Sequence, residues 1–196
     1  EIYTLSLHDA LPIYPVVSTG TDQNVPQRMK TGMRGGMGGG MDGEDQGAAL
    51  TVSGGRLYVN AEGDGLDANG DISISGGTVT VHGPSNSGNG TLDYASQCKI
   101  IGGTFLGVGS VGMSMNPSED STQPIIVQNM SSSVESGTTI SVKDASGSVI
   151  AEVQTEKAVQ WYTISSSQMK IGETYTVCVG DEETEVTLDA TLTQVQ

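Results

Sequence analysis

Basic residues are scarce in this chain: 8 Lys and Arg stand against 23 Asp and Glu, a formal net charge of −15. Such a surface repels phosphate backbones, which excludes simple electrostatic binding of nucleic acid. No apolar run is long enough to cross a bilayer, so membrane insertion is not expected. Aromatic residues make up only 4%. No stretch repeats its apolar residues at a helical period. The two cysteines, Cys98 and Cys178, have no Cys or His partners at zinc-like spacing. A catalytic Ser-His-Asp or Cys-His site would rest on His82 alone. That residue lies beside a Gly-Pro turn and is expected to be an ordinary surface histidine.

What the chain has in quantity is glycine, 28 residues of it, together with Ser, Thr and Val. This composition favours strands and turns. The opening segment, EIYTLSLHDALPI, is set apart. Read back into codons it fits a common short-read sequencing adapter, so residues 1–13 are expected to be an assembly artefact, with the natural chain longer upstream. His8 and Asp9 therefore carry no functional weight. Residues 14–47 are expected to hold a partial coil and a Gly/Met-rich flexible insert, TGMRGGMGGGMDG. Glycine without bulky neighbours buries too little surface to offset its ordering entropy. No Lys-Ser or Lys-Thr follows these glycines, so they match no phosphate-binding fingerprint.

A repeat then begins. TVSGGRLYV starts at Thr51, SISGGTVTV at Ser73 and KIIGGTFLG at Lys99, spacings of 22 and 26 residues. Periods of this size suggest a solenoid. Each unit reads as a strand, a Gly-Gly corner and a second strand. Aligning the units stacks Leu50, Ile72 and Cys98 in one column. Val52, Ile74 and Ile100 form the next, and Leu57, Val79 and Phe105 a third. Alternation places Arg56, Tyr58, Ser73, Thr78 and Lys99 on the opposite face. Residues 48–123 are thus expected to form coils of a parallel β-helix, with Cys98 inward and a disulfide to Cys178 disfavoured.

The same register aligns carboxylates. Asp45, Asp67 and Asp93 each lie seven residues before an inward member of the second column. Asp64, Asn69 and Asp71 crowd the same turn. Like charges about 5 Å apart repel by about 1 kcal/mol in water and about 3 kcal/mol at an effective dielectric near 20. Either these are ordinary acidic turn residues, or they hold a cation. Oxygen-only ligation favours calcium over zinc or copper. The EF-hand pattern fails, because counting from Asp67 puts Ile72 where Gly is required and Thr78 where Glu is required. The nine-residue calcium repeat fails on its period.

GDGLDANGDISISGGTVTVHGPSNSGNGTLDY, followed by GGTFLGVGSVGM and TQP, resembles the clostridial carbohydrate-binding β-helix family, and the match runs from about Ala48 to Pro124. The resemblance implies a fold like that of polysaccharide lyases, binding of cellulose or pectin-like acidic glycans, calcium on the coils, and a secreted or surface-displayed protein. Asp64 and Asp67 fall on that family's Gly-Asp-Gly-hydrophobic-Asp string and Asp93 on its Asn-Gly-x-Leu-Asp-Tyr string. Upstream coils expected of the family are missing.

From residue 124 the pattern changes. IIVQ, TTISVKD, VIAEVQ, VQWYTIS, TYTVCVG and TEVTL read as six short strands. The expected fold is therefore all-β: a right-handed parallel β-helix, truncated at its N-terminus, followed over residues 124–196 by a small antiparallel β-domain that caps it. Adjacent Trp161 and Tyr162 should face opposite sides of a strand, one in the core and the other either packed or offered as a sugar platform. Candidate carbohydrate-binding residues are Tyr58, Tyr94, Arg56, Lys99 and Trp161. The expected function is polysaccharide binding assisted by calcium. The alternatives are a calcium-dependent uronate lyase, which needs a base of lowered pKa near the metal, and a purely structural surface stalk.

Overall fold

A computed structural model describes residues 2–5, 16–17 and 48–195. Among them the chain is all-β, with a large mixed sheet, a four-stranded antiparallel sheet and a two-stranded parallel pair.

The repeat generates the parallel part. Strands β3 (Ala48–Asn60) and β5 (Gly70–His82) run side by side with Leu50 opposite Ile72, Val52 opposite Ile74 and Leu57 opposite Val79. β5 then pairs with β7 (Cys98–Ile100) and β8 (Thr104–Gly109), placing Cys98 beside Ile72, Ile100 beside Ile74 and Phe105 beside Val79. These are the three columns expected from the sequence. Every member except the half-buried Leu50 is buried. Both thiols are free, and burial pushes that of Cys98 up to about 12. A thiol so protonated is an inert piece of core.

The Gly-Gly corners also stack. Gly55, Gly77 and Gly103 all take positive φ, of 73°, 82° and 82°. In that left-handed region a Cβ is penalised, which is why the second glycine recurs in each unit. The chain then turns at residues 61–65 and 83–91 into β4 (Leu66–Ala68) and β6 (Leu92–Tyr94), which pair in parallel. Residues 113–118 continue the stacking without strand geometry. Met115 N–H donates to Leu92 O at 3.1 Å and Ser118 N–H to Cys98 O at 2.7 Å.

Two short strands flank β3. β2 (Val16–Val17) pairs with Tyr58–Val59, and β1 (Ile2–Leu5) with Ala49–Val52. An open strand edge accepts an extended segment within reach. The β1 pairing therefore speaks to the edge of β3, not to the origin of residues 1–13.

All six strands expected after residue 124 form: β9 (Ile125–Val134), β10 (Thr139–Lys143), β11 (Val149–Gln154), β12 (Val159–Ser166), β13 (Thr174–Val179) and β14 (Glu182–Thr187). A further strand, β15 (Leu192–Gln194), adds in parallel to β9. The six do not make one small sheet, as the sequence suggested. β12 pairs antiparallel with β8, and β9 with β12, so both extend the large sheet. Only β11, β10, β13 and β14 form the small one. The last parallel edge is thus covered by main-chain hydrogen bonding and not merely by contact. β12 separates two cores. Trp161 joins the cluster inside the parallel ladders, and Tyr162 joins a second cluster beneath the small sheet. Adjacent residues on a strand face opposite ways, and here both faces are buried.

Candidate functional site

The turn that carries the acids is built by the β4–β6 pair. Asp67 lies directly opposite Asp93 in register. Strand spacing sets their backbones about 4.8 Å apart. Asp67 is exposed and Asp93 half-buried. Burial, and then the nearby charges of Asp93 and Asp64, hold the Asp67 carboxyl above its ordinary range. Burial and Asp64 do the same for Asp93. Three of the six acidic-turn residues singled out in the sequence therefore share one electrostatic field. Asp64 Oδ1 is already engaged by Gly90 N–H at 2.8 Å.

The remaining three do not join this group. Asp71 accepts from Gln97 Nε2 at 3.0 Å. Asn69 is exposed at the end of β4. Asp45 lies outside the described residues. Among those residues, no three His, Cys, Asp or Glu side chains converge closely enough to hold a metal ion by themselves. The donor chemistry still suits a hard cation, because carboxylate oxygens supply the strongest contacts. Calcium takes six to eight oxygens. Asp67 and Asp93 would supply two carboxylates, leaving main-chain carbonyls, water or a ligand to complete the shell.

The candidate sugar-binding residues are dispersed. Arg56 is exposed beside a Gly-Gly corner. Lys99 pairs with Asp120 at 2.6 Å. Tyr94 is half-buried, and its hydroxyl donates to Asn116 O at 2.6 Å. Trp161 is only 1% exposed, with Nε1–H donating to Asn116 Oδ1 at 3.3 Å. Its ring is core packing, so it offers no platform to a sugar. Asn116, which nothing local in the sequence marks, thus joins the irregular pass of the chain to both Tyr94 and β12.

A second polar group gathers where β3 and β5 end. Tyr58 and Asn60 lie on β3, with His82 opposite Asn60 on β5. The β11–β12 turn reaches across to them. The Tyr58 hydroxyl donates to Glu156 Oε1, and Asn60 Nδ2 donates to Glu156 Oε2 at 2.5 Å. Burial, together with Glu156, pushes the Tyr58 hydroxyl far above its ordinary range, so it remains a donor. The Tyr58 and His82 rings pack tilted, with centroids 5.4 Å apart.

His82 is buried at 3% exposure, contrary to the surface position expected of it, and its Nδ1 has no partner. The Gly-Pro turn that follows is itself covered. Burial holds the His82 ring below its ordinary pKa; Glu156 opposes that shift and Lys157 adds to it.

Lys157 anchors the same turn. Its ammonium donates to Ala61 O at 2.6 Å and lies 3.0 Å from Glu62 Oε1. The ion pair reaches an exposed carboxylate and contributes little. The bond to a main-chain carbonyl is different, because removing the donor leaves a partly buried acceptor unmet. Lys157→Ala is expected to lower unfolding stability by about 1–3 kcal/mol. Urea denaturation reads this directly, and an unchanged midpoint would show that water replaces the ammonium.

The repeat alignment could have flagged Asn60 and His82, since they occupy equivalent positions after YV and TV. Glu156 and Lys157 are about a hundred residues away in sequence and carry no local signal.

No protein-family model matches this chain, nor does any curated protein or solved structure.

Proposed function

We propose that this chain is a non-catalytic carbohydrate-binding module, secreted or displayed on a cell surface, that engages cellulose or pectin-like acidic polysaccharides with calcium on its acidic turns. In this reading the parallel ladders are coils of a right-handed parallel β-helix, one pass of chain per repeat. The reading draws on the in-register columns, the Gly-Gly corners at equivalent positions, and the family resemblance of residues 48–124.

The observation that carries it is the pairing of Asp67 with Asp93. Two like charges on neighbouring strands, with a third close by, repel one another unless a cation intervenes. A bound calcium would neutralise them and keep coordination positions open to the carboxylates of an acidic glycan. This reconciles a chain of net charge −15 with an anionic ligand. The lyase alternative loses support from Lys99, the base nearest these turns in sequence, because its ammonium is committed to Asp120.

Co-sedimentation with insoluble cellulose and with pectate gel tests the proposal. Retention on at least one matrix in millimolar calcium, with pectate retention lost in EGTA and in Asp67→Asn/Asp93→Asn, is expected. Equal passage through both matrices, with and without calcium, would leave a purely structural role in its place.

A further inference from the structure

The β11–β12 turn holds a carboxylate in a way that suggests a ligand. We infer that Tyr58 and Asn60 form a subsite for the carboxylate of a uronate sugar, and that Glu156 occupies it as a built-in competitor. The inference rests on the glycan-binding reading above and names one place where an acidic sugar would be recognised.

Three observations carry it. The first is the donor geometry. The two Glu156 oxygens are taken separately, Oε1 by the Tyr58 hydroxyl and Oε2 by Asn60 Nδ2. Such two-point capture matches the spacing of a carboxylate and favours it over a lone hydroxyl. In a chain with few cations, neutral donors on the ladder itself perform this task.

The second is that Glu156 is free to leave. Its side chain is exposed. The turn is fixed independently by Lys157, bonded to Ala61 O at 2.6 Å, and by Ser136 Oγ, which donates to Glu156 O at 2.9 Å. Swinging the Glu156 carboxylate outward therefore breaks two side-chain hydrogen bonds and leaves the backbone anchored.

The third is the wall behind the donors. His82 lies against the Tyr58 ring, nine-tenths buried and more, with Nδ1 unpartnered. A buried nitrogen without a partner is uncommon in folded proteins. A sugar hydroxyl beside the captured carboxylate would give it one. Lys157 adds the positive charge nearest to this end of β3 and β5, with Ala61 O and Gly83 O as its acceptors.

The test uses the full chain and D-galacturonate, with neutral D-galactose as the control, followed by the shift of the Asn60 side-chain amide in NMR titrations. Glu156→Ala is expected to bind galacturonate about tenfold more tightly than the parent, the scale of one charge-assisted hydrogen-bond pair released from competition. Galactose binding should not change. In Glu156→Ala/Tyr58→Phe the gain should vanish. A parent and a Glu156→Ala variant with equal galacturonate affinity would overturn the inference, as would a gain that survives loss of the Tyr58 hydroxyl.

Polysaccharide sedimentation of the parent separates this from the broader reading. Matrix binding by the parent with no gain in Glu156→Ala removes only the subsite. A galacturonate gain with no matrix binding keeps the subsite and removes the proposed module function.

Discussion

Gly77→Ala is expected to lower the free energy of unfolding by about 3 kcal/mol, the sum of a left-handed backbone penalty of about 1–2 kcal/mol and an overpacking cost of about 1–3 kcal/mol. The position combines both costs. Its φ is 82°, and a Cβ there would stand 2.5 Å from Gly55 O and 2.6 Å from the carbonyl carbon of Gly54. Those atoms belong to backbone in the neighbouring strand, so relief requires the ladder to open. Gly103 repeats the arrangement one pass later, with its Cβ 2.5 Å from Gly77 O. The corners are therefore a continuous glycine stack, and damage to one member is felt by both neighbours.

A matched control isolates the packing component. Gly137 has φ of 89°, and a methyl added there would have no atom within 4 Å. Gly137→Ala should cost only the backbone penalty, about 1 kcal/mol. For a chain of this size, a loss of about 3 kcal/mol corresponds to a fall in melting temperature of about 6–12 °C. Thermal and urea denaturation of the two variants side by side would decide the matter. Equal losses would mean that the corners do not stack as closely as described.

The second large effect is expected from calcium. If Asp67 and Asp93 take part in a site, calcium at about a hundred times its dissociation constant should raise stability by about 2.7 kcal/mol. Asp67→Asn should abolish most of that gain. Without calcium the substitution should act in the opposite direction, stabilising the protein at neutral pH by about 0.5–1 kcal/mol, after allowance for solvent screening of an exposed carboxylate.

The pH dependence follows from the same groups. Both carboxyls are held above their ordinary value of 3.8 in the folded state. The folded protein therefore binds these protons more tightly than the unfolded chain does. Their contribution to stability is fully present below the unfolded value and is lost as pH rises through the raised folded values. In calcium-free buffer, stability assigned to this pair should fall as pH increases from about 4, and Asp67→Asn/Asp93→Asn should flatten that slope. Calcium should flatten it too, since a cation replaces the protons. A slope unchanged by the double substitution would show that the two acids titrate as isolated turn residues.

Much of this architecture is legible in the repeat. The 22- and 26-residue spacings place Ile72 on Leu50 and Ile100 on Ile74, and the strand pairing reproduces them. A repeated pattern of side chains with period two leaves little choice of register, because a one-residue slip would turn every core residue outward. The same arithmetic puts Asp67 on Asp93, and the opposite orientations of Trp161 and Tyr162 follow from strand geometry alone.

Other features depend on contacts between distant segments. The histidine beside Gly-Pro is buried because β3 supplies Tyr58 and the β11–β12 turn lies over it. Trp161 is core because β12 closes the parallel edge of β8 and turns one face into the ladder. Glu156 and Lys157 read locally as ordinary charged turn residues. Their partners, Tyr58, Asn60 and Ala61, are nearly a hundred positions away. Local alternation determines which side of a strand a residue faces. Whether that side meets solvent, a second sheet or a single reaching side chain is set by the folded chain as a whole, because burial is a property of what packs there.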